Sequence, residues 1–272
     1  MRRDAMNRNP GWREVGVLRH APGGGARAET DKVAEEIPVA LVFNGISHAV
    51  MMATPLDLED FALGFSLSER IVDEPGQIYD IDSEQGAAGI ELRLTIASEC
   101  FMRLKEKRRN LAGNTGCGLC GLESLAALEL APPPVAAGPV ITKAALVRAF
   151  DALQTLQPLN ALTGAMHAAA WVGLDGAILA VREDVGRHNA LDKLIGSLAR
   201  APRAPGFAIM SSRASYELVQ KAARADIGLL ATISAPTTLA VRMAEQAGIC
   251  LVGFVRGQAC VAYAHAERLL PA

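Results

Sequence analysis

Apolar and polar residues alternate along "EEIPVALVFNGISHAVMMATP" in two runs separated by Asn44-Gly45. That pattern predicts a β-hairpin, because both central turn positions need positive φ. The next stretch, "TPLDLEDFALGFSLSERI", reads as a helix. Thr54 is a suitable N-cap, Pro55 suits the first helical position, and Asp57 and Glu59 favour the positive end of the helix dipole. "IYDIDSEQGAAGIELRLTIAS" predicts a second hairpin around a Gly-rich turn, followed by a basic helical stretch, "MRLKEKRRN". Three consecutive prolines in "ELAPPPVAAGP" cannot continue a helix, so a linker is expected there.

Beyond the prolines the pattern changes. "TKAALVRAFDALQTLQ" has helical periodicity, a cap in Thr142 and a stop near Pro158. "AMHAAAWVGLDGAILAVRED" predicts a hairpin turning at Asp175-Gly176. Helices and short apolar strands then alternate. "NALDKLIGSLA", "SYELVQKAARAD" and "APTTLAVRMAEQAG" are the helices. "GFAIMS", "GLLATIS" and "ICLVGFV" are the strands, and a last strand, "ACVAYAH", closes the series. Such alternation implies βαβ units in a three-layer α/β domain with a mixed sheet. The expected organisation is a mobile segment over residues 1–30 and a smaller N-terminal α+β domain over 31–130. A Pro-rich linker at 131–139 and an α/β domain over 140–272 complete it.

Composition narrows the function. The chain has 272 residues and a formal net charge of −2, with 4% aromatic residues. That balance gives no sign of nucleic-acid or membrane binding. No apolar run reaches the roughly 20 residues of a membrane helix. Arg2-Arg3 lacks the apolar stretch of an export signal. Five cysteines, an odd number, fit reduced thiols and a cytoplasmic location.

In open α/β sheets, ligands sit beyond the carboxyl ends of the strands. Here those ends offer Arg182, Asp184, Arg187, His188 and Asn189, then Ser211, Ser212 and Arg213. Ser234, Pro236, Thr237 and Thr238 follow, and Arg256 comes last. Several of these loops also open helices, whose first N–H groups are unpaired. Taken singly, the hydroxyls are helix caps and the arginines solvated side chains. Four such loops at one edge favour an anion site, most suited to phosphates. His188 either donates to a phosphate or caps its helix. His167, in a hairpin strand, reads equally well as a core histidine.

"NTGCGLCG" holds Cys117 and Cys120 among glycines. A structural zinc site needs four ligands, and Cys100, Cys250 and Cys260 stand alone in apolar surroundings. Zinc is therefore not expected. Gly113, Gly116, Gly118 and Gly121 make loop 113–121 a mobile arm rather than a preorganised redox turn. Arg103, Lys105, Lys107, Arg108 and Arg109 lie just upstream, and a basic neighbourhood lowers a thiol's pKa. A thiolate on such an arm can accept a sulfane sulfur and pass it on. Cys120 would assist release or be a spare.

Several stretches in fixed order resemble the FdhD family of formate dehydrogenase accessory sulfurtransferases. They include "NTGCGLCG", "LTGAMHAAAW", "REDVGRHNALDKLIG", "SSRASYELVQKA" and "ISAPTTLAVRMAEQAGICLVGFVRG". The resemblance runs from about residue 33 to 270. It implies a sulfur carrier that takes sulfur from a cysteine desulfurase as a persulfide on Cys117. The acceptor it implies is the molybdenum of the Mo-bis(molybdopterin guanine dinucleotide) cofactor, Mo-bis-MGD, before that cofactor enters formate dehydrogenase. It also implies a cofactor-binding segment at Phe254, Val255, Arg256, Gly257, Gln258 and Ala259. Arg187, His188, Ser211 and Arg213 are weaker candidates from the strand ends. A cytidine-deaminase-like larger domain without zinc ligands, and a homodimer, follow from the same resemblance. Cys260 stands where a polar residue such as Asn is expected in the family. Two other functions fit the residues. One is a dithiol oxidoreductase; the other is a cofactor-binding chaperone without sulfur chemistry.

Overall fold

In the computed structural model, residues 11–111 and 131–271 are described. The N-terminal half is built on a four-stranded sheet in the order β4-β3-β6-β5. Its strands are β3 (Ile37–Phe43), β4 (Ile46–Ala53), β5 (Ile78–Gln85) and β6 (Ile90–Ile96). The β3–β4 turn is the expected one, with Asn44 at φ 44° and Gly45 at φ 82°. Helices α1 (Leu58–Ser68) and α2 (Ser98–Leu111) supply the other side of this core. Phe61, Ala62 and Phe65 of α1 and Cys100 and Leu104 of α2 pack with Val39, Leu41, Leu92 and Leu94.

Residues 12–34 hold a hairpin, β1 (Trp12–His20) with β2 (Ala26–Ala34), where the sequence predicts an irregular lead-in through residue 30. The glycines that suggest looseness, Gly23, Gly24 and Gly25, all have positive φ and form its turn. The apolar residues of these strands form no buried face, and Val15, Leu18 and Val33 are exposed. Arg19 instead pairs across the hairpin with Glu29 and Asp31.

The larger half is a six-stranded mixed sheet in the order β13-β12-β11-β10-β8-β9. In chain order its strands are β8 (His167–Gly173), β9 (Ile178–Asp184), β10 (Gly206–Met210), β11 (Leu229–Thr232), β12 (Cys250–Arg256) and β13 (Ala259–Ala264). β10, β11 and β12 run parallel; the other pairings are antiparallel. Alternate strand residues feed two cores. Ala169, Trp171, Ala208, Met210, Leu230 and Leu251 face α5 (Arg187–Leu198), α6 (Tyr216–Arg224) and α7 (Thr238–Ala247). Ala168, Ala170, Val172, Phe207, Ile209 and Val252 face α3 (Lys143–Leu153) on the other side. The mixed α/β layering expected from the alternation is therefore present.

Thr142 caps α3 as the sequence predicts, accepting from Ala145 N at 3.1 Å, and Thr237, a candidate site residue, instead caps α7 by accepting from Ala240 N at 3.3 Å. The helical run from α3 ends at Gln157, at φ −112°, so it stops at Pro158 as expected; Pro158 then opens a short helix, α4 (Pro158–Thr163), as the first-turn preference of proline allows. A small parallel pair, β7 (Ile141–Thr142) with β14 (Leu269–Leu270), has no counterpart in the sequence pattern. The Pro-rich stretch does not hang free: Gly138 lies against Gly228, where a Cβ would fall 2.4 Å from the Gly228 carbonyl oxygen.

Thr54 is not the N-cap of α1. That position is Asp57, in the left-handed region at φ 52° and with no side-chain cap bond. The Thr54 hydroxyl is engaged elsewhere, in the joint between the halves. There α1 crosses α5 at Gly64 and Gly196, so closely that a Cβ on Gly64 would meet the Asp192 carbonyl oxygen at 1.7 Å. Asp60 of α1 accepts from Arg182 at 2.7 Å and from Arg200 at 2.7 Å. Below the crossing, Lys221 donates to Asp192 at 3.0 Å and to Glu69 at 2.7 Å, and Ser68 donates to Asp192 at 2.6 Å. No described helix is long and apolar enough to cross a membrane.

Candidate functional site

One edge of the six-stranded sheet collects the carboxyl ends of β9, β10, β11 and β12. Because β8 and β13 run the other way, their amino ends arrive at the same edge. His167, the first residue of β8, thus lies among the strand-end loops.

The strand-end residues divide into two groups. Arg182, Asp184 and Asn189 face the joint. Asp184 is fully buried and accepts from Lys193 Nζ at 2.7 Å, Thr54 N at 3.0 Å, Gly186 N at 2.8 Å and Asn189 Nδ2 at 3.0 Å. Asn189 also donates to the Met52 carbonyl at 2.8 Å. These side chains are committed to holding the two halves together, so they are not ligand groups. Thr237 is spent on its cap, and the Ser211 hydroxyl accepts from Ala168 N at 2.7 Å. Ser211 therefore ties β10 to β8 and offers no free acceptor in that direction.

The second group is open. Arg187 begins α5, and its Nε is buried without a hydrogen-bond partner among the described residues. Burial and the nearby Arg213 make its guanidinium less willing to hold charge, though an arginine remains protonated. Arg213 is exposed, and neither arginine has a carboxylate within ion-pair distance among the described residues. His188 lies 3.4 Å from Ser215 Oγ and 3.6 Å from a Glu217 carboxylate oxygen. Burial, and then Arg187, push its pKa down to about 4, so the ring is neutral near pH 7. His167 is shifted the same way by burial and Arg187. Positive charge concentrated by low-dielectric walls, beside the N-terminus of α5, attracts a multivalent anion.

Residues 254–259 span the end of β12, the Gly257-Gln258 turn and the start of β13, farther along the same edge. Phe254 has φ 51°, is 40% exposed, and sits where the β12–β13 register shifts between Gly253 and Arg256. An aromatic residue held left-handed at a bulge is a strained position that the surrounding structure must hold in place. Val255 is buried, whereas Arg256, Gly257, Gln258 and Ala259 are exposed. Arg256 Nε donates to the Ile233 carbonyl at 3.4 Å. The loops after β10 and β11 bridge the two clusters, with Thr237 N donating to the Ala214 carbonyl at 3.0 Å. Arg187, His188 and Arg213 are thus together, and the 254–259 segment is a separate cluster. Four strand spacings separate β9 from β12, or about 19 Å.

Two shallow concavities are present, and the first borders the 254–259 segment at Gln258. One runs between α3 and Gln258, the other beside the Asn44-Gly45 turn.

Cys117 and Cys120, with the rest of loop 113–121, lie outside the described residues. Their basic approach is reduced by two residues. Arg103 pairs with Asp73 at 2.7 Å, and the Lys105 ammonium lies 4.4 Å from the centre of the Phe101 ring. Cys100 and Cys250 are buried, and burial pushes the thiol pKa up in both and in Cys260. Sequence reasoning missed Thr54 and Lys193 as partners of the α5 start. The one available signal was a lysine amid the apolar positions of "NALDKLIG".

A layered α/β half with a cationic strand edge, bolted to a smaller half that leads into a dithiol segment, defines the class of protein. The family model described as FdhD/NarQ matches residues 34–270, and the chain belongs to that family. It is 58% identical over 241 residues to the "Sulfur carrier protein FdhD" of Cupriavidus necator, covering 88% of this chain and 84% of that one. It is 57% identical over 258 residues to the protein of the same name from Chromobacterium violaceum, covering 93% and 95%. A crystal structure from Desulfotalea psychrophila, described as a candidate formate dehydrogenase accessory protein, matches with a TM-score of 0.73. It covers 96% of this chain and 100% of that one at 23% identity, a likeness of fold.

Proposed function

We propose that this chain is a sulfur carrier in formate dehydrogenase maturation, with Cys117 as the persulfide residue. The relatives named as sulfur carriers support the class of activity. On the structural side, the reading is carried by the Arg187–Arg213 cluster, a cationic site with no protein counter-ion within ion-pair distance among the described residues.

The Cys117 thiolate attacks the sulfane sulfur of a cysteine desulfurase persulfide. A new S–S bond forms at Cys117, the donor's S–S bond breaks, and the electron pair leaves on the donor thiolate. No net oxidation occurs. For delivery, the Cys120 thiolate attacks the Cys117 sulfur and hydrosulfide leaves. Its two electrons come from the cysteine pair, which ends as a Cys117–Cys120 disulfide. A dithiol reductant then restores both thiols.

The acceptor substrate is Mo-bis-MGD, whose molybdenum takes the sulfur. Its pyrophosphates suit Arg187, Arg213 and the unpaired N–H groups opening α5. Phe254 offers an aromatic face, and Arg256 a further cation. Residues 254–259 and Arg187 would hold separate parts of one extended ligand, since β9 and β12 lie about 19 Å apart along the sheet edge, with Arg213, after β10, about halfway between. The apoprotein of formate dehydrogenase is the next recipient. A homodimer, a cytoplasmic location and a cytidine-deaminase-like larger domain belong to the same reading.

The test is intact mass after incubating the reduced protein with a cysteine desulfurase and cysteine, beside Cys117→Ala. A reductant-labile gain of one sulfur on the wild type alone supports the carrier. No gain on either leaves a cofactor chaperone without sulfur chemistry as the better reading.

A further inference from the structure

The start of α5 is shaped by a residue from the other half of the molecule. Thr54 is fully buried, and each of its polar groups bonds across the joint or next to it. Its hydroxyl oxygen accepts from Val185 N at 3.2 Å, and its N–H donates to Asp184 at 3.0 Å. Its carbonyl accepts from Lys193 Nζ at 3.0 Å. Lys193 is itself fully buried and reaches Asp184 at 2.7 Å. Asp184 closes the device by binding Gly186 N at 2.8 Å. Residues 184–186 are thus fixed at consecutive backbone positions immediately before Arg187. Gly186, the N-cap of α5, makes no side-chain cap, so the direction of the first N–H groups depends on this clamp.

We infer that Thr54 is a positioning residue for the anion site: clamped with Asp184 and Lys193, it sets the direction in which Arg187 and the first turn of α5 face their ligand. The inference rests on the anion-site reading of Arg187 given above. A buried ion pair is a costly way to stabilise a joint, because desolvation offsets most of its attraction. Its value lies in orientation. A misdirected charge-assisted hydrogen bond loses strength steeply with angle. Thr54 also precedes α1, so the half that leads into the cysteine segment and the cationic edge share one fixed reference point.

The experiment is calorimetric titration of guanosine diphosphate into the full chain at fixed salt, well below the unfolding midpoint. Wild type is compared with Thr54→Val, Thr54→Ser and Arg187→Gln. Valine keeps the shape and removes only the hydroxyl; serine restores it. Thr54→Val is expected to weaken binding about fivefold, the equivalent of one ordinary hydrogen bond. Thr54→Ser should bind like wild type, and Arg187→Gln should bind more weakly than either. Wild-type affinity in Thr54→Val, with Arg187→Gln weakened, overturns the positioning role and leaves the anion site standing. Equal weakening in Thr54→Val and Thr54→Ser overturns it as well, because the hydroxyl is then not the cause. Undiminished binding by Arg187→Gln overturns the anion-site reading and this inference with it. If Thr54→Val fails to fold, Thr54→Ala replaces it. That change removes the hydroxyl without placing a methyl beside Val185 N, and the same affinity loss is expected.

Discussion

Gly64 of α1 and Gly196 of α5 meet backbone to backbone: a Cβ on Gly64 would stand 2.7 Å from Gly196 N, and one on Gly196 would stand 1.9 Å from the Asp60 carbonyl oxygen. No side chain larger than hydrogen fits on either side. Gly64→Ala or Gly196→Ala must push the helices apart and strain the Arg182–Asp60 and Lys221–Asp192 contacts beside the crossing. Each is expected to destabilise the protein by about 3 kcal/mol, toward the upper end for overpacking. Urea unfolding of each variant measures it, and a loss under about 1 kcal/mol would contradict the crossing.

Lys193 and Asp184 are both fully buried. Lys193→Met leaves the carboxylate with only neutral donors and should cost about 3–5 kcal/mol, the usual result of orphaning a buried charge. Adding Asp184→Asn removes that charge. The double variant should be more stable than Lys193→Met alone, which a pair of urea midpoints will show.

His188 gives a pH signature. Its pKa is held near 4 in the folded chain, against an ordinary 6.5. Between those values the unfolded chain binds the proton and the folded chain does not, so the His188 contribution to stability falls as pH drops from 6.5 towards 4, against an opposite contribution from Asp192, which burial raises to about 6. The full shift corresponds to about 3 kcal/mol. With the ring 27% exposed, about 2 kcal/mol is expected. His188→Gln should remove the His188 contribution from the stability curve in this window. An unchanged curve after the substitution would show that another group drives the slope.

Phe254 at φ 51° carries a strain that glycine does not. Phe254→Gly should therefore leave stability within about 1 kcal/mol, the relief offset by a freer unfolded chain. Guanosine diphosphate affinity is the second reading. A drop there, with the melting temperature unmoved, marks the ring as a ligand contact. Parallel losses in both mark it as packing.

The two cysteines should separate by step. Cys120→Ala is expected to load persulfide as well as wild type does but to release hydrosulfide more slowly. Cys117→Ala should do neither. Equal failure to load in both variants would favour the dithiol oxidoreductase.

What was legible in the sequence was local. Asn44-Gly45 marked its hairpin because no other geometry suits both residues, and Thr142 marked a helix start by a bond three residues away. The layered α/β half followed from alternation alone. The β1–β2 hairpin was hidden because its strands cohere through Arg19, Glu29 and Asp31 rather than through an apolar face. Thr54 looked like a cap, and its actual partner, Val185, is 131 residues away. For the same reason Arg182, Asp184 and Asn189 looked like ligand groups. Only the fold shows that they turn towards Asp60, Lys193 and Met52.

Helix α1 has a double allegiance: Phe61 and Phe65 belong to the core of the smaller half, while Gly64 and Leu67 lie against the helices of the larger. Neither half can melt without stripping a wall from the other, so the chain should unfold in one cooperative step. The covalent link through residues 112–130 is then not what keeps the halves together. A protease that nicks that stretch would leave two fragments travelling as one particle through a sizing column, and separating only in denaturant.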